Sequence, residues 1–455
     1  MSLKKIAEFL PEVKKPESKQ SFKSRIQWSF IILIIFYFLS VIPLAGISKG
    51  NASYFQNLAT LLGASFGSLL TLGIGPIVTG SIVLQLLNGA GMIKIDQRSA
   101  EGKKDFATLQ KLLSLFFLIF EACVFVILGG IRPEASAANY FQLEILIIVQ
   151  LILGGLVIML MDEVISKWGF GSGISLFIAA GVAKEIFVRA LSPIKQGEGY
   201  IGQVWEAIRA IGIGDTTAAM IALSAVVATL IVFFLVVYVQ SMKVEIPLSF
   251  GTIRGHGIRW PLSFLYTSNI PVILVAALIA NVQLVARLLA NSGHAWLGTF
   301  SGNNPASGLV FYLHAPRVLE SIITGTMTWQ LAFAAVTYTI FLVGGAVLFS
   351  YFWVQTAGLD ARSQANQIMA SGLQVPGFRK DPRVIESMLS RYIMPLTIMG
   401  GISIGILAAF ADLMGTLSTG TGLLLTVMII YRLYEDIARE QMYDMNPMVK
   451  RFLGR

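Results

Sequence analysis

Charged residues are scarce in this sequence, making up 13% of its 455 residues. Soluble proteins carry roughly 25%, so the chain lacks the polar surface that several globular domains would need. Hydrophobic residues make up 55%, and the mean hydropathy is +0.73. The chain is therefore predicted to be an integral membrane protein. Its fold is predicted to be all-α, because barrel strands would appear as alternating segments of ~10 residues.

Cysteine and histidine are also scarce. The single cysteine, Cys123, excludes an intramolecular disulfide and any site with several cysteine ligands. The three histidines, His256, His294 and His314, lie in predicted loops at spacings that match no helical metal pair. We therefore predict no metal site and no cofactor.

The sequence shows no catalytic constellation. Intramembrane aspartyl chemistry needs two facing aspartates at mid-span, whereas Asp162 and Asp412 lie near predicted span ends. The glycine-rich stretches 169–173 and 418–422 lack the preceding strand and the following Lys-Ser/Thr of a phosphate-binding loop. We predict no catalytic residues, and the chain is not expected to be an enzyme.

Long apolar runs are what the sequence has in abundance. A helix needs ~20 mainly apolar residues to cross a bilayer. On that criterion we predict ten transmembrane helices, near residues 26–45, 69–90, 109–130, 139–161, 172–190, 217–240, 262–288, 329–354, 392–412 and 420–440.

Basic residues are distributed unequally between the two predicted sides of the membrane. Residues 1–25 carry seven Lys and Arg. If this segment and the tail 441–455 are cytoplasmic, 26 of the 34 Lys and Arg residues fall on the cytoplasmic side. This bias follows the positive-inside rule. It predicts a multi-pass protein of the cell membrane with both termini in the cytoplasm.

The ten predicted spans divide into two halves of five. The halves cover 26–190 and 217–440, and an external hinge connection, 191–216, joins them. An odd number of spans per half makes the second half inverted in the membrane. Pro76 and Pro271 lie at corresponding early positions of the second and seventh spans, although proline is common in membrane helices anyway.

Residues 54–67 form an amphipathic stretch that is too short to cross the membrane and is interrupted by glycines. Irregular backbone at membrane depth survives only where protein or water satisfies it. The stretch is predicted to be a short helix that enters from outside, or equally a buried loop helix without function.

Three polar residues interrupt otherwise apolar spans, namely Thr79, Glu121 and Asn281. A carboxylate at mid-span costs roughly 2.5–3.5 kcal/mol on insertion scales. Glu121 is therefore expected to face protein, be protonated or line a wet cavity. Thr79 and Asn281 are its candidate hydrogen-bonding neighbours if the three spans meet. Threonine also often bonds the backbone of its own helix.

Two predicted cytoplasmic loops, 241–261 and 355–391, are longer than neighbouring helices need and carry basic residues beside glycine. Arg254, Arg379 and Lys380 are examples. Basic fingers of this kind can dock on phosphate-rich RNA. The charge and length of the loops support two interpretations equally: docking on RNA, or basic residues that only set the membrane topology.

Five motifs occur in a characteristic order, namely TLGIGPIVTGSIVLQLL at 71–87, GSGISLFIAAG at 171–181, VEIPL at 244–248, SNIPVI at 268–273 and GTGLLL at 420–425. Together they resemble the SecY family of protein-translocation channels in its archaeal form, and the resemblance covers the whole chain. It implies two five-helix halves around an hourglass pore that conducts secretory polypeptides and releases membrane segments laterally.

The resemblance also implies specific sites. The pore is closed by an apolar ring that matches Ile74, Val78, Ile174, Ile178, Ile273 and Leu425. A plug matches the short helix at 54–67, with Phe55, Leu58, Leu61, Leu62 and Ala64. The polar cluster of a lateral gate matches Thr79, Glu121 and Asn281, and ribosome docking matches Arg254, Arg379 and Lys380. Glu121 departs from the family, in which a neutral polar residue is common at that place.

The family also implies partners. They are the ribosome, the nascent polypeptide with its signal sequence, the lipid bilayer, and two small membrane subunits of the SecE/gamma type and the beta type that complete a heterotrimer.

Two other functions stay open on the residues alone. An inverted-repeat secondary transporter, with Glu121 carrying a proton, explains the halves and the broken helices but not the long basic loops. A structural scaffold is the third class, and it would tolerate polar substitutions in the ring without ion leak.

Overall fold

A computed structural model gives the fold of most of the chain. It describes residues 12–18, 20–47, 67–89, 92–93, 95, 100–127, 131, 133, 139–196, 199–250, 257–267, 270–291, 295–301, 304–370, 373–374 and 382–445. These residues are mostly helical. Among the described residues, six helices contain a span that is long and apolar enough to cross a membrane, and these spans begin at Phe22, Lys104, Tyr140, Thr216, Trp329 and Arg383. The chain is a multi-pass helical membrane protein.

Two compact units divide the chain. One comprises Met1–Ile186 with Leu425–Arg455, and the other comprises Phe187–Leu424. The first helices along the chain are α1 (Phe22–Val41), α2 (Gly75–Gly89), α3 (Ala100–Ile127), α4 (Tyr140–Trp168) and α5 (Gly173–Leu191).

A short structured connection follows α5. It contains the strand pair β1 (Lys195–Gln196) and β2 (Gly199–Tyr200), and then the amphipathic helix α6 (Gln203–Ile213). The Glu206 carboxylate accepts the Tyr200 N–H at 2.7 Å and pairs with Arg209, so it ties α6 to the strand pair. These contacts with Arg209 and Tyr200 hold the pKa of Glu206 below its ordinary value.

The remaining elements alternate long helices with short strands. In chain order they are α7 (Thr216–Ser241), β3 (Lys243–Phe250), β4 (Gly257–Ser263), α8 (Ile270–Asn291), β5 (Phe300–Ser301), β6 (Asn304–Pro305), α9 (Leu309–Tyr312), α10 (Val318–Ile323), α11 (Trp329–Thr356), α12 (Ala361–Ala370), β7 (Leu373–Gln374), α13 (Pro382–Leu413) and α14 (Gly420–Met445).

The apolar residues are distributed as in membrane helices, with some buried between helices and others exposed on the outer faces. In the first unit, a core cluster of α3 and α4 side chains includes Leu118, Ala122, Ile147 and Leu151, all at most 1% exposed. Large apolar residues elsewhere on the helices remain exposed, such as Phe38 at 74%. A soluble protein rarely exposes contiguous apolar faces of this size, whereas lipid accommodates them.

Each of the ten predicted spans overlaps one helix, namely α1 to α5, α7, α8, α11, α13 and α14. The ten-span count stays a prediction, since length and composition identify six. Helices α2 and α8 begin later than predicted, at Gly75 and Ile270, and each has proline as its second residue. Proline fits the first turn because its missing N–H is not needed there.

Candidate functional site

Four of the predicted ring residues lie at the starts of two helices in the first unit. Ile74 directly precedes α2, and its carbonyl oxygen accepts the Val78 N–H at 3.0 Å. Ile174 and Ile178 lie one turn apart on α5. Each pair therefore shares one helix face. Ile74 and Ile178 are buried, and Val78 and Ile174 are half-buried.

The other two predicted ring residues also lie early in their helices. Ile273 is near the start of α8 and half-buried, and Leu425 is near the start of α14 and 2% exposed. All six residues thus fall at or just before the first two turns of a helix. Their convergence into one ring stays a prediction.

The polar residues of the predicted gate are partly described. The Thr79 hydroxyl donates to the Gly75 carbonyl oxygen at 2.9 Å, so Thr79 does bond the backbone of its own helix. It also lies near the half-buried Glu121 of α3, with which its side chain interacts. The structure therefore brings Thr79 and Glu121 together. Asn281 lies on α8, but its side chain is outside the described residues.

The predicted plug residues Phe55, Leu58, Leu61, Leu62 and Ala64 all lie outside the described residues. The structure does describe how the chain continues after them. The Leu44 N–H donates to the Gly67 carbonyl oxygen at 2.9 Å, and the Leu69 N–H donates to the Ile42 carbonyl oxygen at 3.0 Å. The last residue of the predicted plug and the residues after it are therefore hydrogen-bonded to the residues that follow α1.

The predicted docking residues Arg254, Arg379 and Lys380 also lie outside the described residues, but the structure describes the strands beside them. One three-stranded sheet has the order β4-β3-β7, with Phe250 opposite Leu373. Segments 251–256 and 375–381 therefore continue from neighbouring strands. The two basic segments, which are far apart in sequence, thus each follow a strand of the same sheet β4-β3-β7, which we call the platform.

This platform has its own core. Ile246 and Leu262 of the sheet pack in one cluster with Val354 of α11, Ile368 of α12 and Leu389 of α13. On the exposed side of the sheet, Arg259 donates to Glu245 at 2.8 Å across the β3–β4 pair. Apolar burial thus stabilises the sheet on the helices beside it.

A charged cluster that the sequence analysis did not single out anchors the N-terminal segment. The Glu163 carboxylate of α4 accepts the Val13 N–H at 2.8 Å and pairs with Lys111 of α3. Lys167 donates to the Val13 carbonyl oxygen at 2.6 Å and pairs with both Glu12 and Glu163. The i, i+4 spacing of Glu163 and Lys167 was visible in the sequence, but their partners were not.

Metal ligands are not clustered in the part of the chain that the structure describes, where no group of three or more His, Cys, Asp or Glu could hold an ion. Cys123 is half-buried on α3. Burial, together with the charge of Arg317, holds the pKa of His314 below its ordinary value.

Comparison with known proteins gives one consistent result. The family model described as SecY matches residues 68–434. The chain is 43% identical to a protein translocase subunit SecY from Pyrococcus furiosus, and the match covers 98% of this chain and 97% of that protein.

Solved structures are similar over nearly the whole chain. One concerns the plug domain of a SecY protein, which stabilises the closed state of the translocation channel and maintains a membrane seal. The chain in that structure is 38% identical to this one, the match covers 97% of both chains, and the TM-score is 0.81. Another is Sec61 in a canine ribosome–channel complex from the endoplasmic reticulum, also 38% identical with 97% coverage of both chains and a TM-score of 0.79.

Proposed function

Because this chain belongs to the SecY family, we propose that it forms a channel that translocates secretory polypeptides across the cell membrane and releases membrane-protein segments laterally into it. The observation that carries this function is the match to a translocation channel over 97% of both chains at 38% identity. The alternative of a small-solute transporter is set aside, because it leaves this near-complete match to a protein-conducting channel unexplained.

The proposed architecture has ten membrane-spanning helices in two inverted halves of five, with both termini in the cytoplasm. A helix at each of the ten predicted positions supports it, as does the excess of Lys and Arg on the predicted cytoplasmic side. The halves are proposed to span 26–190 and 217–440, and the structured connection with α6 lies between them.

The proposed pore is closed by the ring of Ile74, Val78, Ile174, Ile178, Ile273 and Leu425. A narrow apolar ring excludes water and so blocks ions. It also offers a passing chain no hydrogen-bond partner, so branched side chains can part around a polypeptide without binding it. The spacing of Ile74 with Val78 and of Ile174 with Ile178 supports the ring, because each pair shares one helix face.

Two further elements regulate this pore in the proposal. The plug at 54–67 seals the outer funnel when the channel is idle. The lateral gate uses hydrogen bonds within the polar cluster of Thr79, Glu121 and Asn281, and the interaction of Thr79 with Glu121 supports this proposal. Such hydrogen bonds are worth only about 0.6 kcal/mol each in membrane measurements, and this weakness suits a latch that a signal sequence must open.

The proposed partners are the ribosome and two small membrane subunits of the SecE/gamma and beta types. Ribosome docking is supported by the similarity to Sec61 in a ribosome–channel complex, and by the sheet in which a strand precedes each basic segment. Arg254, Arg379 and Lys380 are the proposed contacts.

Ion conductance tests the channel function directly. We expect the full-length protein, purified with its small subunits and placed in a planar bilayer, to show low resting conductance. Deleting plug residues 55–65 should raise that conductance because the ring loses its seal. The control is Trp296→Ala, which changes an external side chain that is 82% exposed and should have no effect. Unchanged conductance after the deletion would contradict a plugged channel.

A further inference from the structure

Two aspartates near helix ends, Asp162 and Asp412, each hold the start of a helix that carries predicted ring residues. Asp162 Oδ1 of α4 accepts the Ile174 N–H at 2.9 Å and also contacts the Gly173 N–H. Asp412 Oδ1 of α13 accepts the Gly420 N–H at 2.6 Å. A carboxylate at a helix start satisfies N–H groups that have no partner within the helix, and it complements the helix dipole.

A hydroxyl group holds the chain three residues before each of these helices. The Phe170 N–H donates to Ser29 Oγ of α1 at 3.0 Å. The Leu417 N–H donates to Thr229 Oγ1 of α7 at 2.9 Å. Helices α1 and α7 are the first spans of the two predicted halves, so the hydroxyl comes from the corresponding helix each time.

Glycine allows the close approach at both starts. A Cβ atom on Gly173 would lie 2.6 Å from the Asp162 Cα, and one on Gly420 would lie 2.5 Å from the Ala408 carbonyl oxygen. Real Cβ atoms do not approach this closely. Helices α5 and α14 therefore each begin in close contact with the helix that carries the aspartate.

A short sequence echo accompanies this geometry. The tetrapeptides Phe-Gly-Ser-Gly, ending at Gly173, and Leu-Ser-Thr-Gly, ending at Gly420, share an apolar first residue, a hydroxyl third residue and a final glycine. Phe170 and Leu417 are both buried, at 3% and 4% exposure. Sequence alone hides the correspondence, because the spacing from aspartate to glycine differs between the two halves.

Each anchor has one additional contact of its own. In the first, the Arg25 Nε donates to the Gly169 carbonyl oxygen at 2.9 Å, and its guanidinium lies 4.4 Å from the centre of the Phe170 ring. In the second, the Tyr338 hydroxyl of α11 donates to Asp412 Oδ2 at 2.8 Å. The shared parts are the aspartate, the hydroxyl and the glycine.

We propose that Asp162 with Ser29, and Asp412 with Thr229, are corresponding positioning residues of the two halves that fix the starts of α5 and α14 and thereby the level of their ring residues. Ile174 is held by its own N–H, and Leu425 follows Gly420 by little more than one turn. The inference rests on the proposed function, because it assigns these residues a part in keeping the resting pore closed to ions.

Substitution of each aspartate tests the proposal. Asp162→Leu and Asp412→Leu keep the side-chain size but remove the acceptor, so we expect resting ion leak of the bilayer-reconstituted complex to rise about fivefold, as loss of a helix cap would give. Asp162→Asn and Asp412→Asn retain an acceptor oxygen, and their leak should stay near that of the unaltered protein.

A matched control separates ring positioning from capping in general. Asp215 caps α7 by accepting the Ala218 N–H at 3.0 Å, and α7 carries no predicted ring residue. Asp215→Leu should therefore leave the leak unchanged. Leak from all three leucine variants alike would overturn the proposal, and so would leak from the asparagine variants equal to that of their leucine counterparts.

Two milder substitutions test the proposal if the leucine variants do not fold. Thr229→Val removes the acceptor for the Leu417 N–H and should raise the leak. Thr339→Val changes a threonine of α11 whose hydroxyl bonds its own helix at 2.8 Å, and it should not. Equal leak from the two valine variants overturns the anchor.

The variant that lacks residues 55–65 serves as the positive control. If it leaks and the anchor variants do not, the anchors are wrong and the channel stands. If it does not leak either, the proposed function fails with them.

Discussion

Glu163 shows how a single residue can fasten a segment that is distant in sequence. Its carboxylate is 20% exposed and joins Val13, Lys111 and Lys167. Hydrogen bonds to charged groups contribute about 1.5–3 kcal/mol each, and removing the carboxylate leaves two lysines without that partner. The N-terminal segment is thus held to the ends of α3 and α4 by a partly buried charge.

Glu163→Gln should loosen this segment. We expect limited proteolysis within residues 12–20 to become several-fold faster, because the neutral amide no longer pairs with the two lysines. Cleavage of the reconstituted protein, followed by mass spectrometry, measures the effect.

Glu12→Gln is the matched control for that substitution. The Glu12 side chain is 66% exposed, and exposed ion pairs contribute only about 0–1 kcal/mol. It should change the cleavage rate little. Equal acceleration by both variants would argue against Glu163 as the anchor.

For individual polar residues, the sequence predicted where they lie better than what they do. The polar side chain of Glu121 within an apolar span indicated a polar neighbour, and Thr79 lies near it. Asp162 and Asp412 were expected near span ends; Asp412 does lie at the end of α13, whereas α4 continues to Trp168. The role of both residues depends on backbone N–H groups that follow after a turn. A turn of different length in each half conceals that relation.

At the scale of elements, helices were predicted well and strands were missed. Residues 241–261 and 355–391 were expected as loops, whereas they contain β3, β4, β7 and α12. The alternation of Val244, Ile246 and Leu248 with polar neighbours was a strand signal. Pro247 and Pro261 weakened it, because proline cannot donate to a sheet ladder.

Reversing the charge of the second basic loop tests the platform. Arg379→Glu with Lys380→Glu should weaken ribosome binding about tenfold at low salt, and the difference should shrink as salt rises, because phosphate contacts are screened. Co-sedimentation of the purified complex with ribosomes across a salt series measures it.

Lys195→Glu with Arg317→Glu makes the same change in net charge on the predicted external side, where both residues are exposed. This pair should leave binding unchanged. An equal loss with both pairs would mean that net charge, and not the loop, governs binding.

For the whole molecule, hydropathy and charge were sufficient to predict a polytopic helical membrane protein but not to predict which residues line its pore. Helices such as α7 are apolar on every face, so periodicity cannot separate residues that face lipid from those that face a pore. The six ring residues were named through five motifs that resemble a family, and helix periodicity alone would place them in an ordinary core.

Site-specific crosslinking shows whether a translocating polypeptide passes through this ring. With Cys123 replaced by alanine, single cysteines are placed at Ile174, Ile273 or Leu425, and at Phe234, which is 66% exposed on α7. A ribosome-arrested secretory chain carrying one cysteine then reports contact by disulfide formation. The channel predicts crosslinks at the three ring positions and none at Phe234→Cys. Crosslinks at Phe234→Cys that match those at the ring, or no crosslinks at the ring, would contradict it.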